Sequence, residues 1–129
     1  MSGSVASFPK IVEVERIDDN GPDSGASCPH CGAPCRYVTW FRTESGALHG
    51  AARVCFSLFP KSKYAARTAR ILTKDRNGHK LASWDQKVID AIRQLATLGE
   101  SEVDRIIREQ DNAKRAWVNA RYGGRRPTG

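Results

Sequence analysis

Three of the four cysteines in this chain, Cys28, Cys31 and Cys35, fall within the eight residues CPHCGAPC, and Cys55 follows farther along. Thiolates are the ligands that zinc takes at about 2.3 Å in a tetrahedron, and a C-x-x-C turn supplies two of them from one tight loop. Gly32, directly after the second thiol, lets the backbone curl beneath a metal. Zn2+ is therefore the expected cofactor. The set that closes is Cys28, Cys31, Cys35 and Cys55, and His49 in LHGAARVC is the competing fourth ligand. Four protein ligands leave no open coordination position, so such a site holds the fold together and does no catalysis. His30 lies inside the turn and projects away from it. A redox C-x-x-C normally follows a strand and opens a helix; this one follows a loop and precedes a strand, which argues against thioredoxin-like chemistry.

The second group of residues with chemical meaning is cationic. Residues 60–80 carry Lys61, Lys63, Arg67, Arg70, Lys74, Arg76 and Lys80 against Asp75 alone, whereas residues 1–27 are net acidic, in a chain of net charge +7. Charge concentrated in this way is the electrostatic footprint of a polyanionic partner, which makes nucleic acid, DNA or RNA, the expected partner and Lys61, Lys63, Arg67, Arg70, Lys74 and Arg76 the expected contacts. Arg121, Arg125 and Arg126 near the C-terminus extend the set. The competing reading is a solvated helix face that binds nothing.

Other chemistry is hard to find. The sequence has no Gly-rich phosphate loop, no G-x-S-x-G elbow and no H-E-x-x-H helix, and His30, His49 and His79 have no acid at a telling interval. The expectation is a protein that is not an enzyme and has no small-molecule substrate. No apolar run approaches the roughly 20 residues of a membrane span, and the N-terminus lacks a secretory signal pattern, so a cytoplasmic protein with reduced thiols is expected.

These residues need elements to position them. At 129 residues, with 40% hydrophobic and 27% charged, the chain suits one compact unit with trimmings. FPKIVEVERI alternates with a period of two and reads as a strand, and DDNGPDSGAS reads as a loop. RYVTWFR is aromatic and β-branched, TESGAL provides a Gly-containing turn, and residues 48–59 then read as a return strand. Antiparallel partners keep a constant index sum, here about 90, which sets His49 opposite Phe41 and Cys55 opposite Cys35. Residues 61–74 have good helix formers behind Ser62 as an N-cap, and the Asn77-Gly78 break ends them. Ser83 with Gln86 has the form of a capping box ahead of Val88, Ile89, Ile92, Leu95 and Ala96 on one helical face, with Gly99 as the stop. Ser101 and Asp104 can open another helix that carries Val103, Ile106, Ile107, Gln110 and Trp117 at helical spacing.

The expected fold class is α+β, a zinc-ribbon-like β-hairpin with a C-terminal helical hairpin. Its expected divisions are an N-terminal strand and loop (1–27), the ribbon (28–60), the basic helix with the helical hairpin (61–121) and a disordered basic tail (122–129). QLATLGESEVDRIIREQ invites comparison with a helix-turn-helix, but both spacings across its turn are short, and Glu100, Glu102 and Asp104 would repel phosphates where a recognition helix inserts. Tyr37, Trp40 and Phe41, flanked by Arg36 and Arg42, fit the ribbon's core better than an exposed stacking platform.

The run CPHCGAPCRYVTWFRTESGALHGAARVCFSLFP resembles the small zinc-ribbon proteins encoded by phages and prophages, in which a C-x-x-C-G knuckle leads into an aromatic strand, a Gly turn and an H/R-G-A-x-x-x-C return. It covers residues 27–60, with LASWDQKVIDAIRQL a weaker second echo. The resemblance implies a virus-associated accessory protein with a metal-stabilised ribbon, working in the host cytoplasm, and carries over Cys28, Cys31 and Cys55 as ligands; Cys35 is not a reliable part of its pattern. It names no biochemical activity. Two functional expectations stand side by side: nucleic-acid binding through the basic helix, or docking on a host protein or ribonucleoprotein through the amphipathic helix of residues 101–118.

Overall fold

The computed structural model describes residues 8–22, 25–76, 78 and 80–122, the side chains of Arg76 and Tyr122 excepted. Of the expected tail of residues 122–129, Tyr122 closes the last helix, and residues 123–129, with Arg125 and Arg126, lie outside the described residues, as do His79 and the side chain of Arg76. The fold is α+β, with three antiparallel strands and five helices among the described residues. It divides into two compact units, Met1–His79 and Lys80–Gly129.

In the first unit, strands β1 (Ile11–Asp19), β2 (Tyr37–Thr43) and β3 (Leu48–Ala51) form a sheet in the order β1-β2-β3. Aromatic and β-branched side chains make β2 a strand, and Gly46, at φ 86°, closes the turn after it by donating its N–H to the Thr43 carbonyl at 2.8 Å. The β2–β3 register keeps the expected index sum, pairing Phe41 with His49 and Trp40 with Gly50. Gly50 is needed there, because a Cβ at that position would lie 2.7 Å from the Trp40 ring. The indole Nε1 of Trp40 donates to Asp18 across the sheet at 2.9 Å.

The first strand departs from strict alternation. Its pairing with β2 shifts between Ile11 and Glu13 and again between Val14 and Arg16, so Val12 and Glu15 are the extra residues of two bulges. That is why Ile11 and Val14, three apart, are both buried while Val12 is exposed, which the expected period of two does not allow. β1 belongs to the core.

The return strand is the larger correction. It ends at Ala51, and the residues expected to continue it form a short helix, α1 (Arg53–Leu58), with Ala52 as its N-cap. Cys55 therefore sits in the first turn of a helix and does not face Cys35 across a ribbon. Phe56, one residue on, meets Phe41 edge-on at 5.5 Å, and Phe59 does so at 5.0 Å. Helix α2 (Lys63–Arg76) follows, capped as expected: the Ser62 Oγ accepts the Ala65 N–H at 3.1 Å. α2 packs on β1 and so belongs with the sheet, whereas the sequence grouped it with the C-terminal helices. The core between sheet and helices contains Ile11, Val14, Phe41, Phe59, Ala65 and Ala69, and also Cys28 and Cys55.

The second unit contains α3 (Ser83–Arg93), the single turn α4 (Leu95–Leu98) and α5 (Glu100–Tyr122). Val88, Ile89 and Ala91 of α3 and Val103 of α5 are its buried residues of apolar type, and Trp84 meets Trp117 at 5.7 Å. The expected capping box does not form. Ala82 is the N-cap, Ser83 is already helical, and the Gln86 amide donates to Asp90 at 3.0 Å. The helix expected to run from Ser83 to Gly99 ends at Arg93, with Gln94 as its C-cap, and Gly99, at φ 85°, ends the separate turn α4.

Candidate metal centre and basic face

The knuckle is a miniature hairpin. The Cys28 N–H donates to the Ala33 carbonyl and the Gly32 N–H to the Cys28 carbonyl, both at 2.8 Å, and the Cys35 N–H reaches the Ala26 carbonyl at 3.0 Å. Gly32 has φ 80°, a conformation that L side chains resist. The sequence therefore forces Cys28 and Cys31 to the same side of one turn.

The third thiol comes from α1. Because β3 stops at Ala51 and the chain turns into a helix at once, Cys55 lies one helical turn from the strand end, pointing back at the knuckle. The sulfurs of Cys28, Cys31 and Cys55 lie within 4.8 Å of one another, and this trio can hold a metal ion. Thiolates about 2.3 Å from a tetrahedral zinc are roughly 3.8 Å apart, so the trio fits with small adjustment. Cys28 and Cys55 are buried and Cys31 is exposed, which leaves one side of the trio open to solvent.

The surroundings treat the thiols unequally. Burial opposes ionisation of Cys28, but N–H groups of Ala52, Cys31 and His30 and the Cys31 thiol outweigh it and bring its pKa down to about 7. The Ala52 N–H reaches the Cys28 sulfur at 3.1 Å. Cys55 is pushed up to about 12, first by hydrogen bonding with Cys31, then by burial and by its nearness to Cys28. The centre therefore carries one ready thiolate and one thiol that only a cation would ionise near neutral pH.

The remaining expected ligands lie elsewhere. Cys35 is outside the trio, half-buried against the same core; burial raises its pKa, as do the neighbouring Cys28 and Cys31. His49 stacks on Phe41 at 5.7 Å, where the hairpin register puts it. The His30 ring packs against Phe8 and Phe59, at 5.7 and 5.5 Å.

The cations are ordered by α2. At 3.6 residues per turn, Lys63, Arg67, Arg70 and Lys74 fall within about 60° of one another on the helix, opposite the buried Ala65 and Thr68. Lys61 lies just before the helix, half-buried, its Nζ donating to the Phe59 carbonyl at 2.9 Å and resting 4.5 Å from the Phe56 ring centre. Between β1, β2, α1 and α2 is a cleft of about 540 Å³ into which Arg53, Lys61, Arg70 and Lys74 all open. Arg53 was not among the expected contacts. It is the single cation in an apolar run, and only the turn into α1 brings it beside α2.

The chain matches no protein-family model, no curated protein and no solved structure. Among the described residues, no helix is long and apolar enough to cross a membrane.

Proposed function

We propose that this is a zinc-stabilised, non-enzymatic protein that binds nucleic acid through the basic face of α2, in the manner of a phage accessory protein acting in the host cytoplasm. The observation that carries the reading is the stripe of Lys63, Arg67, Arg70 and Lys74. Four cations share one side of the helix, and Asp75, the one acid of α2, lies off the stripe, so this side presents the concentrated positive charge that a polyanion would neutralise. Zinc is the metal because three cysteines in a reducing compartment, with N–H donors trained on a buried sulfur, suit a thiophilic ion that prefers tetrahedral sites. Cys35, near enough to sense the charges of Cys28 and Cys31, is the proposed fourth ligand.

The reading is tested by fluorescence anisotropy with a labelled 20-nucleotide single strand across a salt series. Binding that weakens steeply with salt is expected; binding independent of salt, or none, overturns it. The alternative is docking on a host protein or ribonucleoprotein through α5. It is favoured by the exposure of Trp117 and Val118 toward the end of that helix, although Arg121 covers one face of Trp117 at 5.3 Å. Capture of a partner that survives nuclease treatment and high salt would select it.

A further inference from the structure

The cleft beside α2 has a one-sided charge pattern. Four cations open into it, and none of the described residues that line it is a carboxylate. Neither Arg53 nor Arg70 makes an ion pair among the described residues. The hydroxyls of Ser57 and Thr73, also in the wall, donate to the carbonyls of Val54 and Ala69, at 2.6 and 2.8 Å, so their protons are spent on the backbone. An anion entering the cleft would meet the donors of the four cations and the hydroxyl of Thr39. Burial lowers the pKa of Lys61, which shows that its charge is partly stripped of water without a nearby acid to replace it.

We propose that this cleft holds a phosphate group of the bound nucleic-acid strand, gripped by the guanidinium forks of Arg53 and Arg70, with Lys61 and Lys74 supplying further positive charge. The assignment rests on the nucleic-acid reading of α2 and adds to it the seat of a phosphate and a contact, Arg53, on a different element. Two planar guanidiniums that make no ion pair among the described residues suit the paired oxygens of a phosphate, and four cations around one cleft suit a multiply charged ligand better than a single carboxylate. The apolar wall, Ile17 and Phe56, offers a surface for the adjoining sugar. Outside the cleft the cations continue along α2 to Lys63. From Lys63 to Lys74 the helix rises about 16 Å, the axial length over which one strand presents roughly five phosphates. One strand can therefore follow the helix and turn a phosphate inward.

The test uses the full, zinc-loaded chain and a fluorescein-labelled 20-nucleotide single strand, with affinity followed over a salt series. Arg53→Gln, in the cleft and off the α2 stripe, is compared with Lys63→Gln, on the stripe and not lining the cleft. Arg53→Gln is expected to weaken binding about tenfold and to flatten the slope of log affinity against log salt by about 0.7, one phosphate contact. Arg53→Lys should keep the slope and recover part of the affinity. Arg53 is exposed, and unchanged circular dichroism and zinc content check that the fold is intact. Weakening by Lys63→Gln with wild-type binding by Arg53→Gln would overturn the cleft and leave the nucleic-acid reading standing. Absence of strand binding by the wild type would overturn both. Inorganic tripolyphosphate that binds in an Arg53-dependent way, with no binding of the strand, would overturn the strand as the source and assign the cleft to a free polyphosphate.

Discussion

Arg70→Gln should make the protein more stable and less able to bind nucleic acid at the same time. Arg70 lies three residues from Arg67 and four from Lys74, so its removal deletes two like-charge pairs of about 0.2–0.5 kcal/mol each, or about 0.4–1 kcal/mol together. Gln has nearly the helix propensity of Arg, so little is lost in exchange. For a unit of this size, 1 kcal/mol moves the melting temperature by about 4–8 °C, which gives a rise of roughly 2–8 °C at low salt. The gain should vanish near ~1 M salt, where the screening length falls to about 3 Å. Loss of one charge-assisted hydrogen bond to phosphate, about 1.5–3 kcal/mol, should weaken strand binding at least tenfold. Thermal melts by circular dichroism at both salt levels, with anisotropy titrations on the same samples, read the two effects. A higher melting temperature with unchanged affinity and salt slope would make the stripe a plain solvated face and refute the functional argument. A lower melting temperature at low salt would show that Arg70 has a stabilising partner and refute the electrostatic one.

Three further outcomes are expected. Gly32→Ala forces an alanine to φ 80° in the knuckle; it should cost about 1–2 kcal/mol and lower metal affinity about tenfold, read by competition with a chelator. Gly50→Ala sets a methyl group against the Trp40 ring and should destabilise the first unit by about 1–3 kcal/mol in urea melts, with a change in tryptophan fluorescence; an unchanged midpoint would mean that the ring moves aside freely. Metal affinity should rise with pH, because each ligand must lose its proton. Above the Cys28 pKa of about 7 that thiol is already ionised, so the rise of log affinity with pH should be shallower by one proton at pH 8 than at pH 6, while Cys55, at about 12, still releases a proton at both.

The hairpin was legible because its signals agree. An aromatic strand, a Gly turn and a fixed index sum put Phe41 opposite His49 before any coordinates were needed. The turn of the chain into α1 was not legible. RVCFSL is only six residues long and includes the strand formers Val54 and Phe56, and over so short a stretch a period of two cannot be told from 3.6. What decides it is tertiary: as a helix, the segment delivers Cys55 to the knuckle and Phe56 to Phe41. The same step explains the ligands. C-x-x-C and a returning cysteine marked Cys28, Cys31 and Cys55, but Cys35 was placed by a strand pairing that the helix replaces. In β1 the two bulges bury both Ile11 and Val14, three residues apart, which alternation alone does not reveal. The Ser62 cap was readable because nothing competes for it, whereas the Ser83 hydroxyl lost its place when the helix began one residue early.

The most direct measurement is zinc content per chain, by mass spectrometry under native conditions, on freshly reduced wild type beside Cys55→Ser, His49→Ala and Cys35→Ser. The account predicts one zinc in the wild type, one in His49→Ala, almost none in Cys55→Ser and a weakly held ion in Cys35→Ser. Zinc retained in Cys55→Ser, or lost with His49→Ala, would contradict a centre built on Cys28, Cys31 and Cys55, and a wild type that takes up no zinc would remove the centre altogether.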